Sequence, residues 1–285
     1  MLWADRGRWT CVSPKALETP GVEALPARRP GRALASLIAG RPYVHATVGD
    51  VLAAERARKD RVEQAIIAGN VACLGRALNR VTRCLVPGAT ELELWNALTD
   101  ELHTTDDAVE LAGNLAAGPR SLDPDPHATR RRFRAGEPVL LDAYPRIAGY
   151  HADLTRTWAI GSASPALEKV YGGVRAALLA VATRLRPRVS GGDLDRLARR
   201  ELESRGLPGD FPHHTGHGFG VKQQEPPWLR PQSNDVIAVD SVIAVEPACY
   251  ISGLGGVRLE QDFLVREDKT IELGPPITSF ELLVR

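Results

Sequence analysis

The sequence predicts an α/β (α+β) domain made of two related halves, each with two helices followed by an acidic strand hairpin. Apolar residues recur at every third or fourth position along two long segments, which indicates amphipathic helices. Each helical segment is followed by short apolar runs that hold paired acidic residues and glycine-containing turns, which indicates antiparallel strands. The order of helix, helix and hairpin therefore occurs twice.

The first helix is expected to begin near Ala53 and to end at Pro87-Gly88, because proline and glycine terminate helices. A second helix is predicted after Thr90, a good N-terminal capping residue, with Glu91 and Glu93 near its positive end. The predicted buried stripe of the first helix consists of Val62, Ile66, Gly69, Cys73, Ala77, Val81 and Leu85.

The second helix pair has a similar pattern. Ser164-Pro165 supplies a cap and a first-turn proline, Pro187 stops the helix, and Leu194 to Leu202 forms its partner. At an offset of 100 residues, eight positions of the two pairs are identical, which favours an internal duplication with an approximate two-fold axis. The alternative is that any two amphipathic helix pairs share apolar spacing. The identities are Ala77 with Ala177, Leu78 with Leu178, Val81 with Val181, Leu85 with Leu185, Pro87 with Pro187, Leu94 with Leu194, Glu101 with Glu201 and Leu102 with Leu202.

Each predicted hairpin carries two acidic residues. A turn centred between Ile147 and Ala148 would place Asp142 opposite Asp153, where two like charges destabilise the pair unless a cation lies between them. Glu246 and Glu260 flank a turn at residues 253–256 in the second half. If the halves are related by a two-fold axis, the four carboxylates meet and require compensating positive charge.

An imidazole ligand is available in the glycine-rich stretch at residues 211–220. Glycines flank His217 and allow close approach of the backbone, although a lone histidine in such a loop is usually structural or exposed. Carboxylates alone suit hard divalent ions, and an added imidazole shifts the preference toward manganese, iron, cobalt or zinc.

The bulk composition excludes several classes of protein. The 36 basic and 35 acidic residues nearly cancel, so a nucleic-acid or membrane-surface partner is not expected. The four cysteines lack CxxC spacing, which argues against a disulfide framework, and no apolar run reaches the length of a membrane span. We therefore expect a cytoplasmic protein with an irregular arm at residues 1–52, where five prolines separate short apolar pieces, and a catalytic domain at residues 53–285.

These residues resemble the pita-bread metallopeptidases, a family that includes methionine aminopeptidase, aminopeptidase P, prolidase and creatinase. The resemblance runs from about residue 54 to residue 285 and is nearest to the Xaa-Pro peptidase branch. The motifs that carry it are DAYPRIAGYHADLTRT with Asp142 and Asp153, HHTGHGFG with His217, VEPACY with Glu246, and GGVRLEQD with Glu260.

The resemblance implies two divalent metal ions, with manganese preferred and cobalt, iron or zinc as alternatives. Asp142 would bind one ion, His217 and Glu246 would help to hold the other, and Asp153 and Glu260 would bridge them. Two such ions lower the pKa of a bound water and stabilise an oxyanion. In the resembling family the residue at Glu246 also shuttles a proton.

The resemblance also assigns roles outside the metal cage. His127 and His213 match histidines that contact substrate or line the site, and they are expected to take part in catalysis. Arg258 is expected to pair with a ligand carboxylate, and His151 to orient Asp153 through a hydrogen bond because the two share a strand face. Tyr250 is likewise expected to bind substrate or to contact the metal ligands.

One position departs from the peptidase pattern. The family usually carries a second histidine seven residues after the metal-binding one, where this sequence has Gln224. Glutamine can donate a hydrogen bond to a carbonyl but cannot act as an acid. In addition, prolidase, aminopeptidase P and creatinase carry a full domain ahead of the catalytic one, whereas only about 52 residues stand there in this sequence.

Three functions follow from these observations. The leading one is a metal-dependent hydrolase of the Xaa-Pro peptidase type, with a short peptide or small molecule as its substrate. The second keeps the metals but acts on a non-peptide C–N bond of a small, biosynthetic substrate, and the third is a binding module without catalysis. A homodimer is expected from the resemblance alone.

Overall fold

The computed structural model describes residues 2–5, 8–13, 43–105 and 107–277, with side chains from Ala53 onward. The chain divides into two compact units, Met1–Arg56 and Ala57–Arg285. Most of the predicted irregular arm lies outside the described residues. In its described part, β1 (Leu2–Asp5) pairs with β2 (Arg8–Ser13), which pairs in parallel with β3 (Tyr43–Thr47), and α1 (Val48–Ala57) follows.

The second unit opens with two helices, α2 (Arg61–Val81) and α3 (Glu91–Leu102). Both have a capping box: Asp60 accepts from the backbone N–H of Glu63, and Thr90 from that of Glu93. The strands β5 (Gly113–Ala117), β6 (Pro138–Ala143) and β9 (Leu154–Ala159) then form an antiparallel sheet in the order β5-β6-β9. A smaller sheet contains β4 (Val109–Glu110), β7 (Arg146–Ile147) and β8 (Tyr150–His151).

The second half repeats this order. Helix α4 (Pro165–Arg184) begins at the predicted Ser164 cap, and α5 (Gly191–Ser204) follows it. The five-stranded antiparallel sheet has the order β11-β10-β12-β15-β16. Its strands are β10 (Gly216–Gly218), β11 (Glu225–Leu229), β12 (Ser241–Val245), β15 (Gln261–Val265) and β16 (Thr270–Leu273), and the hairpin of β13 (Ala248–Ile251) with β14 (Gly255–Arg258) lies between β12 and β15 in sequence.

This element order confirms the predicted duplication. In each half, a helix pair is followed by a strand that pairs with the first arm of a long hairpin, and a short hairpin interrupts that long one. The core also divides in two: one cluster includes Leu74, Leu98 and Leu141, and the other Val174, Leu202 and Val257. Burial of each such side chain stabilises the fold by about 1.5–3 kcal/mol.

The predicted stripe on the first long helix is partly wrong. Val62 is 67% exposed and Gly69 is also exposed, whereas Ala77 and Val81 are buried as expected. The helix is also shorter at both ends than predicted, because Asp60 caps a new start and a 3-10 turn follows Val81. Packing against the sheet therefore buries a different face of the helix from the predicted one. The buried apolar residues of this face are Ile67, Val71, Leu74, Ala77, Leu78 and Val81.

The predicted register of the first hairpin is wrong by two residues. Asp142 pairs with Thr155 rather than with Asp153. The turn lies one residue later than predicted, between Ile147 and Tyr150, because Ala148 and Gly149 both adopt positive φ (49° and 84°), the signature of a tight two-residue hairpin turn. A shift of two keeps every side chain on its face.

Both returning strands are also interrupted where continuous strands were predicted. Asp153 stands immediately before β9, and Glu260 stands immediately before β15. The two acidic residues therefore lie at breaks between the short hairpins and the main sheets. Of the helices that the structure describes, none has the length and apolar content that crossing a membrane demands.

Candidate metal centre

The acidic residues of both halves meet at one cavity of about 330 Å³. Asp142 lies on β6, His217 lies on β10, and Glu246 directly follows β12. The lining residues are Asn114, Pro124, Asp125, Asp142, Tyr144, Asp153, His213, His214, His217, Gln223, Gln224, Glu246, Arg258 and Glu260. All five sequence-predicted metal ligands are therefore in one place.

His217 lies at the centre of the donor set. Its Nε2 atom is 3.6 Å from Oδ2 of Asp153 and 3.5 Å from Oε1 of Glu246. Two triplets of ligand atoms each lie within 4.8 Å of one another: Asp153, His217 and Glu260 form one, and His214, His217 and Glu246 form the other. Such spacing is compatible with cations held between the members of each triplet.

Burial dominates the electrostatics of the carboxylates. It raises the pKa of Asp142 to about 6, although the nearby Arg258 lowers it. Burial, together with neighbouring acidic groups, raises the pKa of both Asp153 and Glu260 well above the ordinary range. Glu246 differs: burial alone would raise its pKa, but contact with His214 and the charges of the surrounding histidines lower it to about 2.

The donors fit divalent metal ions. Among the residues that the structure describes, four buried carboxyl groups line the cavity, and Arg258 is the one arginine beside them. Oδ1 of Asp142 and Nε2 of His214 are buried and have no hydrogen-bond partner among the described residues. Unpartnered buried acceptors are costly, and bound divalent cations would satisfy both these atoms and the excess negative charge.

A second layer of contacts holds these donors in place. Thr155 donates to Oε2 of Glu260 at 2.7 Å, and Gln223 donates to Oδ2 of Asp153 at 3.0 Å. The backbone N–H of Asp153 donates to the buried Asp262 at 3.2 Å. Outer contacts of this kind orient ligands and sustain metal affinity.

His213, Tyr250 and Arg258 form a hydrogen-bonded chain beside the cavity. The Tyr250 hydroxyl is 2.9 Å from Nε2 of His213 and accepts from Nη1 of Arg258 at 3.1 Å. Nδ1 of His213 is 2.8 Å from the carbonyl of His214, so both ring nitrogens are engaged. Arg258 also donates to Oδ2 of Asp142 at 2.7 Å, so its guanidinium contacts a candidate metal ligand.

A model of metallopeptidase family M24 matches residues 67–267. The chain belongs to this family. It is 31% identical over 202 residues to an uncharacterized peptidase, YqhT, of Bacillus subtilis, covering 70% of this chain and 57% of the relative. It is 29% identical over 225 residues to a probable dipeptidase, PepE, of Mycobacterium bovis, covering 79% of this chain and 60% of the relative.

The fold of this M24 chain is similar to that of solved peptidases. An Xaa-Pro dipeptidase from Bacillus anthracis superposes with a TM-score of 0.77 at 27% identity, covering 84% of this chain and 67% of that one. The expected pita-bread fold is thereby confirmed. The chain spans about three fifths of the length of the curated relatives it matches.

Two of the predicted outer residues, His127 and His151, take positions that the sequence did not indicate. His127 is exposed and is not among the residues that line the cavity. His151 lies on β8, and its Nδ1 atom is 3.3 Å from the carbonyl of Tyr144, so its hydrogen bond does not go to Asp153. Gln224 lines the cavity as expected but is exposed, and its neighbour Gln223 makes the contact with Asp153.

Sequence reasoning missed two residues that contact the M24 donor set. His214 stands in HHTGHGFG, three residues before His217, and this spacing was a signal for a second imidazole near the donor set. Gln223 gave no signal, because its contact with Asp153 depends on the path of the loop at residues 220–224.

Proposed function

We propose that the chain is a dinuclear metal-dependent hydrolase of the Xaa-Pro peptidase type that cleaves a short peptide or small amide bond. The observation that carries the proposal is the convergence of Asp153, His217 and Glu260 within 4.8 Å at the base of the cavity. Membership of family M24 supports a peptidase. The names dipeptidase and Xaa-Pro dipeptidase among its relatives support a short substrate.

The proposed ligands are those that meet in the cavity. Asp142 would help to hold one ion, His217 and Glu246 would help to hold the other, and Asp153 and Glu260 would contribute to both, as the family resemblance implies. When bound, two divalent ions, manganese in the first place or cobalt, iron or zinc, supply an activated water at neutral pH and stabilise the charge that develops on the scissile carbonyl.

Three further roles are proposed for Glu246, His213 and Gln224, in proton transfer, in positioning and in substrate binding. Glu246 is ionised at neutral pH, because contact with His214 and the charges of the surrounding histidines lower its pKa to about 2 against the effect of burial. Its role as a proton shuttle rests on the family resemblance. Because both nitrogens of His213 are engaged, this residue orients its neighbours through Tyr250 rather than transferring a proton. Gln224 donates a hydrogen bond to a substrate carbonyl but cannot protonate a leaving group.

The volume of the cavity supports a small substrate. A volume of about 330 Å³ accommodates a dipeptide or a molecule of similar size, at the low end of small-molecule sites. A homodimer and a cytoplasmic location belong to the same proposal and rest on the family resemblance and on the composition, respectively.

The proposal is tested by an activity screen of the metal-reconstituted chain. Xaa-Pro dipeptides, other dipeptides and small cyclic amides are supplied as substrates, and metal content is measured on the same sample. We expect hydrolysis of at least one class, abolished by a chelator and restored by a divalent ion. Protein that binds less than one ion per chain after reconstitution would refute the proposal.

A second candidate function is favoured by Gln224. If the chain acts on a non-peptide C–N bond of a small substrate, the missing histidine is an adaptation and Gln224→His gives little gain in dipeptide hydrolysis. If instead the chain is a weakened peptidase, restoring an acid should raise the rate by about 100-fold, the lower end of general acid catalysis. Comparing kcat for Xaa-Pro dipeptides before and after the substitution separates the two.

A further inference from the structure

The segment that carries His214 is held rigidly beside the metal cage. Arg199 on α5 donates to the backbone carbonyls of Gly209, Phe211 and His213 at 2.9, 3.1 and 2.9 Å, and its guanidinium lies 4.0 Å from the centre of the Phe211 ring. Thr215 donates to the buried Asp195 at 2.7 Å. The position of His214 is therefore fixed by the fold.

The His214 side chain points at the cage. Its Nε2 atom lies 2.9 Å from Oε1 of Glu246, and its ring packs edge-on against His217 with centroids 5.1 Å apart. The backbone N–H of Glu246 donates to the carbonyl of Thr215 at 2.8 Å, which ties the two segments together. The Trp228 ring packs edge-on against His214, with centroids 5.4 Å apart.

The contact between His214 and Glu246 leaves Nε2 of His214 unsatisfied. Nε2 of His214 is buried, yet it lies outside hydrogen-bond geometry with Glu246 and has no other hydrogen-bond partner in the described part of the chain. A buried imidazole nitrogen without a partner costs about 1–3 kcal/mol. A cation between His214, His217 and Glu246 would accept this lone pair, since the three ligand atoms lie within 4.8 Å of one another.

We infer that His214 is a second imidazole ligand of the metal centre. The metal position that it shares with His217 and Glu246 is therefore rich in nitrogen ligands. The inference rests on the proposed dinuclear site and deepens it. The other metal position, around Asp142, Asp153 and Glu260, offers carboxylate oxygens. Because imidazole favours zinc, cobalt and iron while carboxylate oxygens favour manganese, the two positions prefer different metals.

The order of metal loading follows from this asymmetry. The first equivalent of zinc enters the position with two imidazoles, and manganese occupies the carboxylate position more readily than the imidazole one. The stepwise affinities for zinc are therefore further apart than those for manganese.

The test counts imidazoles around zinc directly. The metal-free full chain is loaded with one equivalent of zinc and examined by X-ray absorption spectroscopy, and we expect two imidazole ligands per zinc in the parent and one in His214→Ala. Titration with zinc against a chromophoric chelator should show the tighter affinity weakened about 100-fold in the variant, the upper end of what losing an outer partner causes. His103→Ala, at an exposed histidine on the C-terminal end of α3, is the matched control and should change neither value.

Several outcomes overturn the inference. One imidazole per zinc in the parent protein contradicts it without recourse to any variant, so a failure of His214→Ala to fold does not block the test. Equal zinc affinity in the parent and His214→Ala also contradicts it, while leaving the proposed function intact. If the parent binds no zinc, cobalt or manganese, the proposed function itself fails.

Discussion

In both halves of the domain, a strand that reaches the cavity has a glycine directly before its cavity-lining residue. The side chains that follow the two glycines are different. Gly113 on β5 precedes Asn114, and Gly216 on β10 precedes His217. A Cβ at Gly113 would lie 2.1 Å from the carbonyl oxygen of Asp142, and one at Gly216 would lie 2.2 Å from that of Ala244. Both strands need glycine for the same steric reason.

The side chains after these glycines have diverged. Asn114 donates to Asp125 and lines the cavity, whereas His217 lies at the centre of the donor set. The first half supplies Asp142 and Asp153, and the second supplies Glu246 and Glu260 together with the imidazoles. Main-chain packing therefore constrains both halves equally, while ligand chemistry is free to differ, and the following predictions test that distinction.

The largest effect is expected at the two proposed bridging residues, one from each half. Asp153→Asn and Glu260→Gln should each lower kcat by about 1000-fold or more and reduce metal content, because removing a shared ligand disturbs both ions and the activation of water. The measurements are hydrolysis and metal analysis on the same sample. Asp100→Asn, at an exposed residue of α3, serves as the control. Loss in only one of the two variants would show that the halves do not share the ions.

The glycine pair should respond alike in stability. Gly113→Ala and Gly216→Ala each force a methyl group against a backbone carbonyl and should reduce the free energy of unfolding by about 5 kcal/mol or more, in the range of severe core damage. Thermal denaturation of both variants measures this. Gly172→Ala on α4, where a Cβ meets nothing within 4 Å, should instead stabilise the protein by up to about 1 kcal/mol. If only one of the two strand variants lost this much stability, the two glycines would not be equivalent.

A buried ion pair ties the start of the first half to the second. Lys59 donates to Glu225 at 2.7 Å, with side-chain exposures of 2% and 3%. Lys59→Met leaves Glu225 buried beside an apolar group and should cost about 4 kcal/mol in unfolding free energy, while Lys59→Met with Glu225→Met should regain part of it. Urea denaturation gives both values.

The matched control for this pair lies on the surface. Arg205 pairs with Glu201 at 2.7 Å with exposures of 49% and 27%, and Arg205→Ala should change stability by less than about 1 kcal/mol. If the Lys59 and Arg205 variants lose similar amounts, burial is not what gives the first pair its importance.

The smallest effect concerns pH and has opposite signs at Asp142 in the first half and at Glu246 in the second. In the metal-free protein, Asp142 holds its proton up to a pKa of about 6, whereas the unfolded chain loses it near 3.8, so stability falls by roughly 3 kcal/mol as pH rises through this window. Glu246 has a pKa of about 2 against 4.5, so its contribution is present above pH 4.5 and is lost as pH falls.

Urea denaturation of the metal-free chain between pH 3 and 7 measures both contributions. Asp142→Asn should flatten the decline between about pH 4 and 6, and Glu246→Gln should flatten the acidic limb. Added divalent ion should remove the decline near pH 6. A metal-free protein whose stability rises steadily from pH 4 to 7 would contradict the assignment for Asp142.

The sequence by itself determined the starts of α3 and α4, the duplication and the five proposed ligands, but not the start of α2. Ser164 and Thr90 cap their helices through contacts with residues three positions away, and such local signals are readable without a fold. The acidic pairs were recognisable because buried like charges demand compensation, whatever the exact register.

The tertiary structure alone decided the register, the buried face of the first helix and the surroundings of the ligands. Asp142 pairs with Thr155 because the turn at Ala148 and Gly149 closes one residue later than the sequence symmetry indicated. Gln223 reaches Asp153, and His214 reaches Glu246, across 70 and 32 positions of the chain, respectively. Such contacts depend on how distant segments pack, which residue spacing along one segment does not contain, and this is why neither contact was predicted.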